Sequence, residues 1–170
     1  MAVNTYYFDA SDGGPTDPNS VWTDDANAFN GNTTDFATTQ TVGTSSVNYL
    51  MAEGTNATPL TEVIQNVRVR VYGESTGATA VNAFVYTDSL AEFLGEAFTS
   101  GSAGYGSYAT LAVPSGGWTW AKVQALETRI IKVGQGPPTV GNIYKVEIEV
   151  TSGPYIEGIS QIQGISSIQL

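Results

Sequence analysis

Between residues 64 and 72 the chain reads Ile-Gln-Asn-Val-Arg-Val-Arg-Val-Tyr, and Val67, Val69 and Val71 alternate strictly with Arg68, Arg70 and Tyr72. A period of two with three β-branched residues in register predicts a strand with one buried and one wet face. Residues 143–150 repeat the design, with Tyr144, Val146, Ile148 and Val150 set against Lys145, Glu147 and Glu149. Two arginines on one wet face and two glutamates on the other predict cross-strand partners in one antiparallel sheet, each opposite pair contributing roughly 0.2–1 kcal/mol.

The same pattern recurs along the chain. Residues 3–8 form a first predicted strand, with Tyr6 and Phe8 on one side and Tyr7 on the other. Residues 48–51 read as a short strand, and 79–87 as another, with Val81, Ala83 and Val85 against Asn82, Phe84 and Tyr86. The stretch from Gly73 to Gly77 between two alternating runs predicts a hairpin. In residues 88–98, Leu90, Phe93, Leu94 and Ala97 have helical spacing, yet the neighbouring pattern predicts a strand over 92–99. Residues 108–114 and 126–133 continue the series, with Trp118 and Trp120 at the start of a strand. Many short strands and glycine-rich turns predict an all-β fold, an antiparallel sandwich of about eight to ten strands.

Trp22 and Phe29 read as large core anchors and Asn30-Gly31 as a tight turn leading into a strand near residues 35–40. Taken in order, Trp22, then Asn27-Ala28-Phe29-Asn30-Gly31-Asn32-Thr33-Thr34-Asp35-Phe36-Ala37-Thr38, and later Pro114 followed by Gly117-Trp118-Thr119, resemble the jelly-roll domains of tailed-phage virion proteins. The resemblance covers roughly residues 22–150 and is shared, more weakly, with discoidin-type and galactose-binding-like sandwiches. Those sandwiches often carry Asp where this chain has Asn30, so their calcium site is not carried over. What the phage resemblance implies is a jelly-roll sandwich on the exterior of a virion, acting as a capsid decoration protein or a fibre module.

Past Gly153-Pro154 the character changes. Gly158-Ile-Ser-Gln-Ile-Gln and Gly164-Ile-Ser-Ser-Ile-Gln are two copies of a six-residue unit, and Ile156, Ile159, Ile162, Ile165 and Ile168 recur at every third position before Leu170. The glycines and β-branched residues oppose a helix, and two units cannot bury their own isoleucines. The division expected is a sandwich over 1–152 and an assembly tail over 153–170, whose isoleucines and Leu170 associate in a homotrimer or dock into another virion protein, a capsid or tail subunit.

Composition narrows the chemistry. In 170 residues there are 16 acidic and 6 basic side chains, a net charge of −10, which argues against nucleic acid and anionic membranes as partners. Cysteine and histidine are both absent, which removes disulfides, Ser-His and Cys-His nucleophile systems and the usual zinc sites. Asp24 with Asp25 and Glu92 with Glu96 are the carboxylate pairs left for glycoside cleavage, and neither pattern implies a cleft. The expectation is a non-enzyme with no cofactor. Asp9, Asp12 and Asp17 lie in an acidic loop that departs from the calcium-loop template. Asn32-Thr33-Thr34 and Asn56-Ala57-Thr58 match the glycosylation pattern, with turn chemistry as the simpler reading. Nothing at the start of the chain reads as a signal peptide.

The glycine-serine stretch from Ser100 to Ser107 holds Tyr105 and runs into Tyr108, a composition suited to surface contact because tyrosine buries area at small entropic cost. This keeps a second function class open, a carbohydrate-binding module presenting Trp22, Trp118, Trp120, Tyr105 or Tyr108 to a glycan.

Overall fold

The computed structural model describes residues 1–9, 21–43 and 48–154. The chain forms β1 (Ala2–Tyr7), β2 (Ala37–Thr39), β3 (Leu50–Glu53), β4 (Val63–Ser75), β5 (Ala80–Tyr86), β6 (Phe93–Thr99), β7 (Gly104–Tyr105), β8 (Ala109–Thr110), a short helix α1 (Trp120–Gln124), β9 (Glu127–Val133) and β10 (Gly141–Gly153). Every pairing is antiparallel. One sheet runs β1-β10-β4-β7, with β2 beside β10 and β8 beside β4; the other runs β3-β9-β5-β6.

Five pairings are nested: β5 with β6, β4 with β7 and with β8, β3 with β9, and β2 with β10. A single long hairpin folded over on itself produces this set, and its two halves close into a double-sheet jelly roll. The all-β antiparallel sandwich expected from the alternation is the observed fold.

The core follows from the alternation. Val67, Val69, Val71, Val146, Ile148 and Val150 point inward from the first sheet and are fully buried. They meet Leu50, Ala52, Val81, Ala83, Val85 and Ile130 from the second. Trp22 and Phe29 are buried anchors, as their size implied. Asn30-Gly31 turns the chain beneath Tyr7, where Gly31 has φ +76° and an added Cβ would lie 2.5 Å from the tyrosine ring. Of the two Asn-X-Thr triplets, the first serves a turn, Asn32 Oδ1 accepting from the backbone N–H groups of Thr34 and Asp35; Asn56 makes a long-range tie instead, its Oδ1 accepting from Tyr7 N–H of β1 at 2.8 Å.

Three expectations are corrected. Tyr144 does not share the inner face with Val146: a β-bulge between Ile143 and Lys145 buries Ile143 in the core and swings Tyr144 outward against Tyr72 and Phe36. An extra residue on one strand inverts the facing of everything on one side of it. The turn after β4 is not a hairpin but an arch, because β4 and β5 belong to different sheets. Trp118 and Trp120 do not begin a strand; Thr119 caps α1, its hydroxyl accepting from Lys122 N–H at 3.2 Å. This helix closes one end of the sandwich through Trp120 Nε1–H to Glu62 O, 2.9 Å, and Gln124 Nε2–H to Ala57 O, 3.0 Å.

Candidate functional site

The two outer faces of the sandwich are unlike. On the first sheet, Arg68 and Arg70 of β4 stand opposite Glu149 and Glu147 of β10, the partners the sequence predicted. Arg68 donates to Glu149 Oε1 from Nε (2.9 Å) and from a terminal nitrogen (2.5 Å). Arg70 donates to Glu147 Oε1 from Nε at 2.6 Å and forms an ion pair with it through a terminal nitrogen. Tyr108 also donates to Oε1 (2.8 Å), while Tyr105 and Lys145 reach Oε2, both at 3.1 Å.

A carboxylate offers about four acceptor positions, and here they are filled. Burial works against the charge on Glu147, yet donors from Tyr108, Lys145 and Arg70 outweigh it and hold the carboxyl below its ordinary range. Burial, and after it the same carboxylate, raises Tyr108 well above the usual phenol. Such a group is a lock, with no free lone pair to act as a base. Arg70 lies 3.7 Å from the Tyr105 ring centroid and Arg68 4.5 Å from that of Tyr108, so the two tyrosines are clamped over the sheet. Tyr105 is 41% exposed and Tyr108 half-buried. Gly106 permits this closure: a Cβ there would lie 2.0 Å from Phe98 O.

Between β6 and this clamped segment runs an open groove of about 370 Å³, flanked by Phe98, Tyr105 and Tyr108 with Glu96, Ser100 and Ser107. A second cavity, of about 450 Å³, includes Asp88, Glu92, Pro114 and Lys122. Its polar groups are engaged locally: Lys122 Nζ donates to Ser115 O (2.5 Å) and Gly117 O (2.8 Å), and Glu92 accepts from Ser115 N–H.

The second sheet's outer face is open and aromatic. By register, Asn82 lies beside Phe98 and Ile131, Phe84 beside Glu96 and Arg129, and Tyr86 beside Phe93 and Glu127. Phe93 packs on Phe84 and Tyr86 with centroids 6.3 and 5.4 Å apart. Sequence alternation had already put Phe84 and Tyr86 on the wet side of their strand; the edge contributions of Phe93 and Phe98 only join them through the pairing of β5 with β6.

All six basic side chains are engaged within the fold. Arg68, Arg70 and Lys145 meet carboxylates, Arg129 lies over Tyr49 at 4.6 Å, and Lys122 meets carbonyls. Fully buried Lys132 donates to Gln40 O and Gln135 O, with burial pulling its pKa down. The charge offered to partners is therefore mostly negative.

Among the candidate acids, Asp24 is left-handed at the start of a 3-10 turn over Asp25–Phe29, and Glu96 is exposed on β6 while Glu92 holds a loop. Glu127 stands opposite Glu53 and accepts from Ser89 N–H and Leu90 N–H, residues with φ of 57° and 54°. Burial raises its pKa. Among the described residues no group of three or more acidic side chains is arranged to hold a metal ion. Asp9 follows the isolated bridge at Phe8, while Asp12 and Asp17 lie outside the described residues. So do Ile156, Ile159, Ile162, Ile165, Ile168 and Leu170. Among the described residues no helix is long and apolar enough to cross a membrane.

The chain matches no protein family, no curated protein and no solved structure.

Proposed function

We propose that this chain is a non-enzymatic structural component on the exterior of a tailed-phage virion, a capsid decoration protein or fibre module. It assembles as a homotrimer through its isoleucine-rich C-terminal segment and docks on a capsid or tail subunit. The observation that carries the reading is the self-sufficiency of the jelly roll. Val67, Val69, Val71, Ile148 and Val150 are fully buried in a core drawn from both sheets of the described residues. Ile156, Ile159, Ile162, Ile165 and Ile168 follow in a stretch with a single charge, and an apolar sequence of that kind is characteristic of assembly contacts. The ordered resemblance around Trp22 and Trp118 supplies the virion setting.

The test is a chain ended after Pro154, compared with the full chain by sedimentation. The full chain is expected at the trimer mass and the shortened one as a folded monomer; an unchanged mass refutes assembly through the tail.

A second reading has one specific support, the groove in which Phe98 and Tyr105 stand exposed. Aromatic faces beside polar groups accept sugar rings, so a carbohydrate-binding module mediating host or surface attachment is the alternative. Reproducible glycan-array binding that disappears on Tyr105→Ala and Tyr108→Ala favours it.

A further inference from the structure

We propose that the open aromatic face of the β3-β9-β5-β6 sheet is the receptor for residues 155–170 of a second copy of this chain; the inference rests on the assembly reading above.

The two faces differ in what covers them. Over the first sheet, Tyr105 and Tyr108 are drawn down onto Glu147. Over the second, Phe93 and Phe98 remain 53% and 59% exposed. Phe84 and Tyr86 extend the apolar surface inward from Phe93. Asn82, on this face near the start of β5, keeps a side-chain oxygen shielded from solvent with no hydrogen-bond partner among the described residues.

The occupant is argued from composition, length and exit point. Residues 155–170 hold five isoleucines and Leu170 against a single charge, Glu157. In an acidic protein a stretch with so little charge is only weakly repelled by another copy. Fully extended it reaches roughly 50 Å, enough to cross a four-stranded sheet. With three residues per turn and about 3.1 Å per residue, every third side chain falls on one side about 9 Å apart. Two strand spacings come to about 9.6 Å, so isoleucines at that interval match alternate strands of the receiving sheet.

The exit point favours a neighbour over the chain's own face. β10 is central in the first sheet, flanked by β1 and β4. It ends beside Val63, at the end closed by α1 and by Glu62, which accepts from Ser152 Oγ at 2.5 Å. The way back to the chain's own aromatic face leads over that cap and around the sandwich; a neighbouring copy presents the same surface without the detour.

Two measurements on the full-length chain test this. The first is the Phe93→Ser/Phe98→Ser double variant, at positions exposed enough to leave the fold standing, as a circular-dichroism melt verifies. It is expected to weaken self-association at least tenfold and to approach the behaviour of the chain ended after Pro154. If the double variant assembles like the parent while the shortened chain is monomeric, the receptor lies elsewhere and the assembly reading survives. If shortening itself leaves the mass unchanged, both readings fall. The second measurement uses the absence of cysteine: a Phe98→Cys chain is mixed with Ile159→Cys, Ile162→Cys or Ile165→Cys chains and oxidised. Mixed disulfides that form between chains for at least one position support the proposal. Disulfides that form only when both cysteines sit in one chain overturn it.

Discussion

Arg70 on β4 and Glu147 on β10 are directly opposed, and the guanidinium and two tyrosine hydroxyls converge on one carboxylate that is almost completely buried. The pair therefore joins three separate parts of the chain: two central strands and the loop that crosses them. Its strength comes from saturation, since every acceptor position of Glu147 has a donor.

Replacing Glu147 by Gln leaves Arg70 and Lys145 without their counter-charge in a shielded place. The expected loss is about 3 kcal/mol, the range found when one member of a buried pair is removed. For a domain of this size that is a fall in Tm of roughly 6–12 °C. Arg68→Met, at a pair whose arginine is 38% exposed, is expected to cost under about 1 kcal/mol. Equal losses at the two pairs contradict the assignment of Glu147 as the hub.

The cluster also sets the pH limits of stability. Glu147 has a folded pKa below its ordinary 4.5, so its contribution is complete above that pH and is lost as pH falls through the lower folded value. Tyr108 and Tyr144 are raised from 10.0, Tyr144 to about 12 by burial and by the Glu74 carboxylate its hydroxyl meets. Lys145 is raised above 10.5: burial opposes this, but hydrogen bonds to Tyr105 and Glu147 prevail. Stability from these three is complete below about pH 10 and is lost as pH rises through their folded values. Thermal melts across pH are expected to show an alkaline decline beginning near 10, shallower in Tyr108→Phe than in the parent.

The bulge at Tyr144 separates two neighbours that look alike in sequence. Ile143→Ala, at a fully buried position, is expected to cost about 2–4 kcal/mol. Tyr144→Phe keeps the ring contacts with Tyr72 and Phe36 and loses the hydrogen bond to Glu74 (3.0 Å), about 1 kcal/mol. Urea unfolding of both variants measures the difference; a reversed order would place Tyr144, not Ile143, in the core.

What the sequence made readable was whatever depends on period alone. Val67 to Val71, Val81 to Val85 and Val146 to Val150 reveal their facing because one residue in two is buried, and Arg68/Arg70 against Glu147/Glu149 reveal their register because opposite charges attract. The facing of Tyr144 was hidden, since a bulge adds one residue without altering composition. The arch after β4 was hidden too, because Gly73 and Gly77 serve a hairpin or a change of sheet equally well. α1 is five residues long, too short for helical periodicity to declare itself. Glu147 as a hub could not be read locally, because apart from Lys145 its donors come from strands and loops such as those of Tyr108 and Arg70, 39 and 77 residues away in the chain.

Gly106 offers a sharper test of the clamped loop. Ala at this position puts Cβ against the backbone oxygen of Phe98, and the segment bearing Tyr105 and Tyr108 must lift. Gly106→Ala is expected to destabilise by about 2 kcal/mol or more, with faster hydrogen exchange in residues 104–110. Gly136→Ala, where nothing lies within 4 Å, is expected to be neutral or slightly stabilising. Identical melts for the two variants would show that the loop is not pinned.

With all six cations engaged internally and a net charge of −10, copies of the chain repel one another until ions screen them. Self-association through an apolar segment is therefore expected to strengthen on going from 20 mM to 500 mM salt, about two- to tenfold in sedimentation equilibrium. Weakening over that interval would mean that charge pairs, not isoleucines, hold the copies together.

The position of β10 has a mechanical consequence. Ala2 pairs with Ser152, so residues 1 and 154 leave the sandwich at the same end. A pull between those two points peels β1 away one rung at a time. A pull on residue 154 against the opposite end of the sandwich loads the ladders to β4 and β1 together, in shear, with the hydrogen bonds lying across the force. A load applied through residue 154 thus reaches the strand that is bonded on both flanks.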